Sequence, residues 1–306
     1  MQFSPRFVCS IIESVVLAIG LSVGPVASAA ATTIYWTQNS GGFGAGKLYR
    51  APDTDPSSGQ LLASASGSNT FSVLAHDAAG GTVYWAGDAL ERSDLDGGNR
   101  ELMASTPPFS EGLAVDATNG VIYRANWNGT IQRSDLDGGN PQTILTLSQS
   151  IYGLALDQIA GKLYFTADDT FIYRSDLDGG NVAPLVDGGL EPLGITLDIP
   201  GGKMYWADWD AGQVSRANLD GSGVELLHSS PGNPIGVAID PVSGLLYWSE
   251  WGTNQIHRSN LDGSQAELWS QRSETPWGLL VVIPEPSTGF LFLFGLGLLA
   301  RRGIAA

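Results

Sequence analysis

A single pattern recurs six times, in whole or in part, along the 306 residues of this chain. Its fullest copy runs from Gly236 to Gly263, reading GVAIDPVSGLLYWSEWGTNQIHRSNLDG. The tyrosine that marks each copy falls at Tyr35, Tyr84, Tyr123, Tyr164, Tyr205 and Tyr247, so the spacings are 49, 39, 41, 41 and 42. A period near forty residues means that each copy is one supersecondary unit and that the units stack.

The third copy shows what a unit contains. Gly112-Leu113-Ala114-Val115-Asp116 is an apolar run closed by a carboxylate, and a turn follows. Val121 to Arg124 is a second apolar and aromatic run, Thr130 to Arg133 alternates polar with apolar, and Thr143 to Thr146 is a fourth run after the turn SDLDGGN. Four short runs rich in β-branched and aromatic residues, separated by Gly, Asn and Asp turns, predict a four-stranded antiparallel meander. No segment carries a sustained helical period. Six such meanders packed radially give an all-β, six-bladed β-propeller. The first copy lacks the opening run, and Trp277 to Val282 supplies one at the far end. The C-terminal strand is therefore expected to complete blade 1 and close the ring.

The runs YWTQ, YWAG, YWAD and YWSE, with GLAVD before and SNLDGS after, resemble the YWTD (class B) repeats of the low-density lipoprotein receptor. The resemblance covers about Thr33 to Val282 and implies a six-bladed propeller that binds proteins on one face. Repeat three departs with YRAN, repeat four with YFTAD, and repeat one carries an expanded segment, NSGGFGAGKLYRAPDTDPSSGQ.

The chain ends are of another kind. Residues 1–29 combine Arg6, an apolar stretch from Val15 to Val23 and the small residues Ala27-Ser28-Ala29, which reads as a secretory signal. Cys9, the single cysteine, lies within it, so the exported chain is expected to hold together without disulfides. The propeller is assigned to residues 31–283. Residues 284–306 join Pro284, Glu285 and Pro286 to an apolar run from Gly289 to Ala300 and to Arg301 and Arg302. Twelve apolar residues are short for a stable membrane span, and the arginine pair acts as a cytoplasmic stop. This segment resembles a PEP-CTERM sorting tail, which implies processing by an exosortase-type enzyme, transient inner-membrane anchoring and a Gram-negative host that exports the protein to its surface or extracellular matrix.

A net charge of −16 and a pI near 4.3 argue against a nucleic-acid partner, which demands clustered Lys and Arg. Arg50, Arg92, Arg133, Arg174, Arg216 and Arg258 occupy one repeat position, two residues after Leu48, Leu90, Ile131, Ile172, Val214 and Ile256. Period two places them towards the packed side of the blade, where a guanidinium needs a partner. Asp116, Asp157, Asp198 and Asp240, or the Asp of each LDG turn, are the candidates. The DLDGGN turns lack the ligand set and terminal Glu of an EF-hand loop, and Asx–Gly turn chemistry accounts for them. His76 is expected inside a strand, His257 exposed, and His228 just after an outer strand. No GxSxG, HExxH or phosphate-loop motif appears, so no catalytic residue, metal or cofactor is expected.

If the first run of each meander points down, the second-to-third loops and the starts of all first runs share an upper face. Trp127, Trp209 and Trp251, each four residues after its tyrosine, then decorate upper loops. Ser72, Glu111, Tyr152, Leu193, Ile235 and Trp277 ring the upper mouth of the channel, and Arg124 replaces the motif Trp on the same side. Aromatic and arginine side chains on one face suit a protein interface. Asp168, Asp208, Asp210 and Glu250 would favour a basic partner. The expected function is a non-enzymatic, exported binding module for an extracellular protein, with polysaccharide binding or a propeller lactonase or lyase with an axial metal as the alternatives.

Overall fold

The structure is a computed structural model and describes residues 32–40, 45–65, 70–77, 80–104 and 109–283. The secretory signal and the sorting-tail residues Pro284, Glu285, Pro286, Arg301 and Arg302 lie outside the described residues. Blade 1 contains β1 (Thr33–Asn39), β2 (Gly46–Pro52) and β3 (Gln60–Ser64), followed in blade 2 by β4 (Phe71–Asp77), β5 (Thr82–Gly87), β6 (Leu90–Asp94) and β7 (Glu101–Ala104). Blade 3 is β8 (Ser110–Asp116), β9 (Val121–Asn126), β10 (Thr130–Asp135) and β11 (Gln142–Thr146). Blade 4 is β12 (Ile151–Asp157), β13 (Lys162–Ala167), β14 (Phe171–Asp176) and β15 (Ala183–Asp187). Blade 5 is β16 (Pro192–Asp198), β17 (Lys203–Asp208), β18 (Gln213–Asn218) and β19 (Glu225–Ser229). Blade 6 is β20 (Pro234–Asp240), β21 (Leu245–Glu250), β22 (Gln255–Asn260) and β23 (Glu267–Gln271), and β24 (Thr275–Val282) follows.

The sheets order as β4-β5-β6-β7 and likewise through blade 6, while blade 1 orders β24-β1-β2-β3. Pairing of Thr33 with Val282 and of Asn39 with Thr275 seals the ring as the sequence predicts. The first strands β4, β8, β12, β16, β20 and β24 contact one another in sequence around the axis. Between blades the core is aromatic: Trp36, Trp85, Phe165, Trp206 and Trp248 are all fully buried. The equivalent residue of blade 3, Arg124, is 3% exposed, and its Nη2 donates to Gln132 Oε1 at 3.0 Å. The sequence reading put Arg124 on the upper surface. It lies inside strand β9 instead, because its position faces the neighbouring blade in every repeat.

The repeated arginines also differ from expectation. Each stands across the strand pair from its motif tyrosine, as in Tyr205↔Arg216 and Tyr247↔Arg258. From there tyrosine, arginine or both reach the carbonyl of the Leu in the next blade's LDG turn. Tyr35 Oη and Arg50 Nη1 donate to Leu95 O at 2.7 and 2.6 Å. Tyr164 Oη donates to Leu219 O at 3.1 Å, and Arg216 Nη1 to Leu261 O at 2.8 Å. Blade 1 has no LDG turn, and Asp53 takes its place for Tyr247 and Arg258 at 2.5 and 2.9 Å. The second partner is an outer-strand glutamate: Glu101 for Arg92, Glu225 for Arg216 and Glu267 for Arg258. Arg133 is exposed beside Tyr123.

Asp116, Asp157, Asp198 and Asp240, proposed as arginine partners, cap turns within their own blades. Asp116 accepts from the Asn119 N–H, Asp157 from Ala160, Asp198 from Gly201, and Asp240 from Val242 and Ser243. In the LDG turns Asp96, Asp137 and Asp178 accept the N–H two residues on at 2.8–2.9 Å, and Gly97, Gly138 and Gly179 take positive φ.

Arg216→Ala should lower unfolding stability by about 1–3 kcal/mol, since it removes the Arg216 donor from the part-buried Leu261 carbonyl and the ion pair with Glu225. Arg216→Lys should recover only part, because one ammonium cannot span both Leu261 O and Glu225. Urea denaturation of the three proteins measures the difference.

Candidate functional site: the upper mouth of the channel

The upper mouth is built by a ring of β-bulges. Register between first and second strands slips between Ser110 and Gly112, Ile151 and Leu154, Pro192 and Ile195, and Pro234 and Val237. Blade 2 slips between Phe71 and Val73, and blade 1 skips Trp277 and Gly278. Bulges re-aim side chains next to sites. Here they direct Ser72, Glu111, Tyr152, Leu193, Ile235 and Trp277 into a mouth of about 80 Å³, the ring expected from sequence. The glycine after five of these residues is what allows the blades to meet. A Cβ on Gly236 would sit 2.3 Å from the Trp277 carbonyl oxygen of the neighbouring first strand. Motif hydroxyls fasten the same junction: Ser249 Oγ accepts the Gly236 N–H at 3.0 Å and donates to Trp277 O at 2.7 Å. Thr166 does this between Gly153 and Leu193, and Thr37 between Gly278 and Ser72.

The mouth has two unlike sides. Leu193, Ile235 and Trp277 form an apolar cluster on which Tyr152 and Trp209 pack. The polar side is Ser72 and Glu111, and Glu111 is only 8% exposed, with no hydrogen-bond partner for Oε1. Burial pushes the Glu111 carboxyl up to about 7, against a hydrogen bond from the Trp127 side chain and with help from the Glu191 charge. Glu191 is itself raised by burial and by Asp210, Asp168 and Asp208. The Tyr152 hydroxyl is raised by burial and by Asp168, Glu191 and Glu111. One acidic field therefore covers blades 3 to 5 at this mouth.

The tryptophans are held beside it by the chain. The N–H groups of Trp127, Trp209 and Trp251 donate to the carbonyls of Phe109, Glu191 and Asn233, each in the segment leading into a first strand. Trp209 and Trp251 stack tilted at 5.2 Å between ring centroids, and Trp127 meets Phe109 edge-on at 5.8 Å. Trp127 and Trp251 are 46% and 40% exposed, while Trp209 is half-buried. Two acids counted towards a basic partner are not available to one. Asp208 and Glu250 are buried and hold upper loops: Asp208 accepts from the N–H groups of Leu190, Glu191 and Ala211. Glu250 accepts from Ser230 and Thr253, and despite burial its hydrogen bonds from His257, Ser230 and Thr253 hold it down to about 2. Asp168 and Asp210 are exposed.

Below the mouth the channel widens to about 380 Å³, lined by Leu, Ile and Val side chains and by His76 of β4. Burial lowers His76, keeping its ring neutral. His257 stacks on Trp248 at 5.3 Å rather than standing exposed, and His228 lies within β19 against the same Trp248 at 4.7 Å. Among the described residues no three His, Cys, Asp or Glu side chains are placed to hold one metal ion.

Residues 282–305 match the family described as the PEP-CTERM protein-sorting motif. The chain carries that sorting motif, which marks an exported, exosortase-sorted protein. No curated protein matches the chain at a significant level. Solved structures share the propeller. A chain of a nidogen–laminin complex matches at 20% identity and a TM-score of 0.73, over 84% of this chain and 100% of that one. TolB from Acinetobacter baumannii matches at 17% and 0.68, over 83% and 67%. A protein of unknown function from Bacteroides thetaiotaomicron matches at 13% and 0.58, over 81% and 85%. At these identities the likeness is one of fold.

A carboxyl whose pKa is raised on folding costs stability as pH rises. The native state holds the Glu111 proton up to about pH 7 while the unfolded chain releases it near 4.5, so stability falls across that window. Glu111→Gln should match the parent near pH 4 and exceed it by about 3 kcal/mol above pH 7. Denaturant titrations at both ends of the window read this out.

Proposed function

We propose that this protein is a non-enzymatic binding module of the bacterial surface or extracellular matrix, and that it captures an extracellular protein on the upper face of its propeller. The observation that carries this reading is the Trp209–Trp251 pair at the rim of a mouth with apolar and acidic sides. Exposed aromatic rings beside a partly desolvated pocket are what interface centres use. A nidogen–laminin complex shows a propeller of this shape in a protein assembly, which agrees with the proposal at the level of fold. The donor set at the axis agrees with it too, since among the described residues the walls of the mouth and channel bring Glu111, His76 and Tyr152 as titratable candidates. That set is thin for general acid–base or metal-assisted hydrolysis. The sorting tail supplies the address, with an exosortase-type enzyme as the processing partner and the membrane as a transient station.

Trp251→Asp should reduce cross-linked capture of matrix proteins by about tenfold or more, a loss typical of one central aromatic anchor. Its melting temperature should stay close to the parent's, since Trp251 is 40% exposed and belongs to no buried core cluster among the described residues. Retained capture, or binding to a polysaccharide array in place of protein, would refute the protein-binding reading.

Replacing Pro284, Glu285 and Pro286 together by Ala should leave the propeller folded and shift the protein from the surface or medium to the inner-membrane fraction. Fractionation followed by immunoblotting checks this, and an unchanged distribution would detach sorting from the motif.

A further inference from the structure

At the mouth, three facts about Glu111 stand together. Its side chain is more than nine-tenths buried, its Oε1 has no partner, and it lines the cavity opposite the apolar wall made by Leu193, Ile235 and Trp277. A buried carboxylate with one oxygen left unpartnered is costly to hold, and the Trp127 side chain serves the group as its one donor. Every other deeply buried acid described above offsets that cost with turn or loop N–H groups or hydroxyls. We propose that Glu111 is the seat for an ammonium group, the end of a lysine side chain presented by the partner protein. The inference rests on the upper face being the docking face.

The shape of the mouth agrees with that ligand. About 80 Å³ is room for an ammonium and the methylenes next to it, not for a folded segment. A lysine stem is apolar and would lie along Leu193, Ile235 and Trp277 while its head reaches the acid, as amphipathic side chains do. One unpartnered oxygen suits a compact point charge better than the two-pronged guanidinium fork. The field has the right sign. The groups acting on Glu111 are the Trp127 side chain from the β9–β10 loop and the Glu191 charge ahead of β16. Tyr152 of β12 and Asp168 beyond β13 adjoin them. All are neutral or negative. An arriving ammonium would hold Glu111 ionised, so docking gains strength as pH rises through neutrality.

Capped Gly-Lys-Gly and its norleucine analogue, titrated into the full-length chain by saturation-transfer NMR, test the seat. The lysine peptide should bind about tenfold or more tightly than the norleucine one, and should weaken on going from about pH 8 to about pH 5.5. Glu111→Gln and Glu111→Leu should each erase both differences. Glu111→Leu should melt no lower than the parent, because it removes a buried ionisable group. Equal affinity for the two peptides would overturn the proposal, and so would full lysine affinity in Glu111→Leu or a melting point well below the parent's. The matrix-protein cross-linking described above separates this from the wider reading. If Trp251→Asp loses capture and Glu111→Leu keeps it, the face stands and the lysine seat falls. If neither variant loses capture, both fall.

Discussion

The propeller depends on one contact repeated around its axis. A tyrosine and an arginine, paired across two strands, reach out of their own blade and satisfy a backbone carbonyl at the turn of the next. A blade alone cannot supply donors to that carbonyl, and its neighbour cannot bury its tyrosine without it. Where the contact is made, to Leu95, Leu136, Leu219 and Leu261, the interface couples a hydrophobic gain, the aromatic layer led by Trp36, Trp85, Trp206 and Trp248, to a polar requirement that only correct blade spacing meets. Blade 1 keeps the contact with different chemistry, since the Asp53 carboxylate receives Tyr247 and Arg258 where blades 2, 3, 5 and 6 offer a carbonyl. The seam where the chain ends meet is thus joined by an ion pair in addition to strand pairing.

An acidic chain has to dispose of its carboxylates, and here most go to structure. The aspartates closing the first strands of blades 2 to 6 cap turns, those of the LDG loops hold their own backbone, and Asp208 and Glu250 tie down upper loops. What remains at the upper mouth is a small set, Glu111, Asp168, Glu191 and Asp210, gathered over blades 3 to 5. Net charge alone would have spread the negative potential everywhere. The geometry concentrates its unspent part beside exposed tryptophan.

Much of this could be read from the residues. The forty-residue period gave the blades, the missing first run gave the closure by β24, and the meander gave the ring of residues at the mouth. The misread parts have physical causes. Four of the arginines reach main-chain oxygens one blade away, and a main-chain oxygen has no residue signature, while the glutamates that serve as second partners recur in only three blades. Arg124 stands where Trp36, Trp85 and Trp206 are core, and register rather than residue type decides that it too is buried. His257 has an exposed pattern in its strand, but the broad face of Trp248 gives it somewhere to lie. The bulges left one trace, a glycine following the ring residue in five blades, which marks where two first strands pass too closely for a Cβ.

Closure by the last strand also sets a clock. Blades 2 to 6 are each made from one continuous stretch, so they can assemble in order as the chain emerges. Blade 1 cannot finish until residues 275–282 arrive to meet residues 33–39. During secretion the molecule must pass through an open arc whose two end blades present unpaired strand edges, the form most exposed to proteases and to other nascent chains. The sorting motif begins at residue 282, on the final residue of the sealing strand. Sealing and handover to the sorting machinery thus draw on adjoining residues, so the sealing strand is complete only as the sorting motif begins.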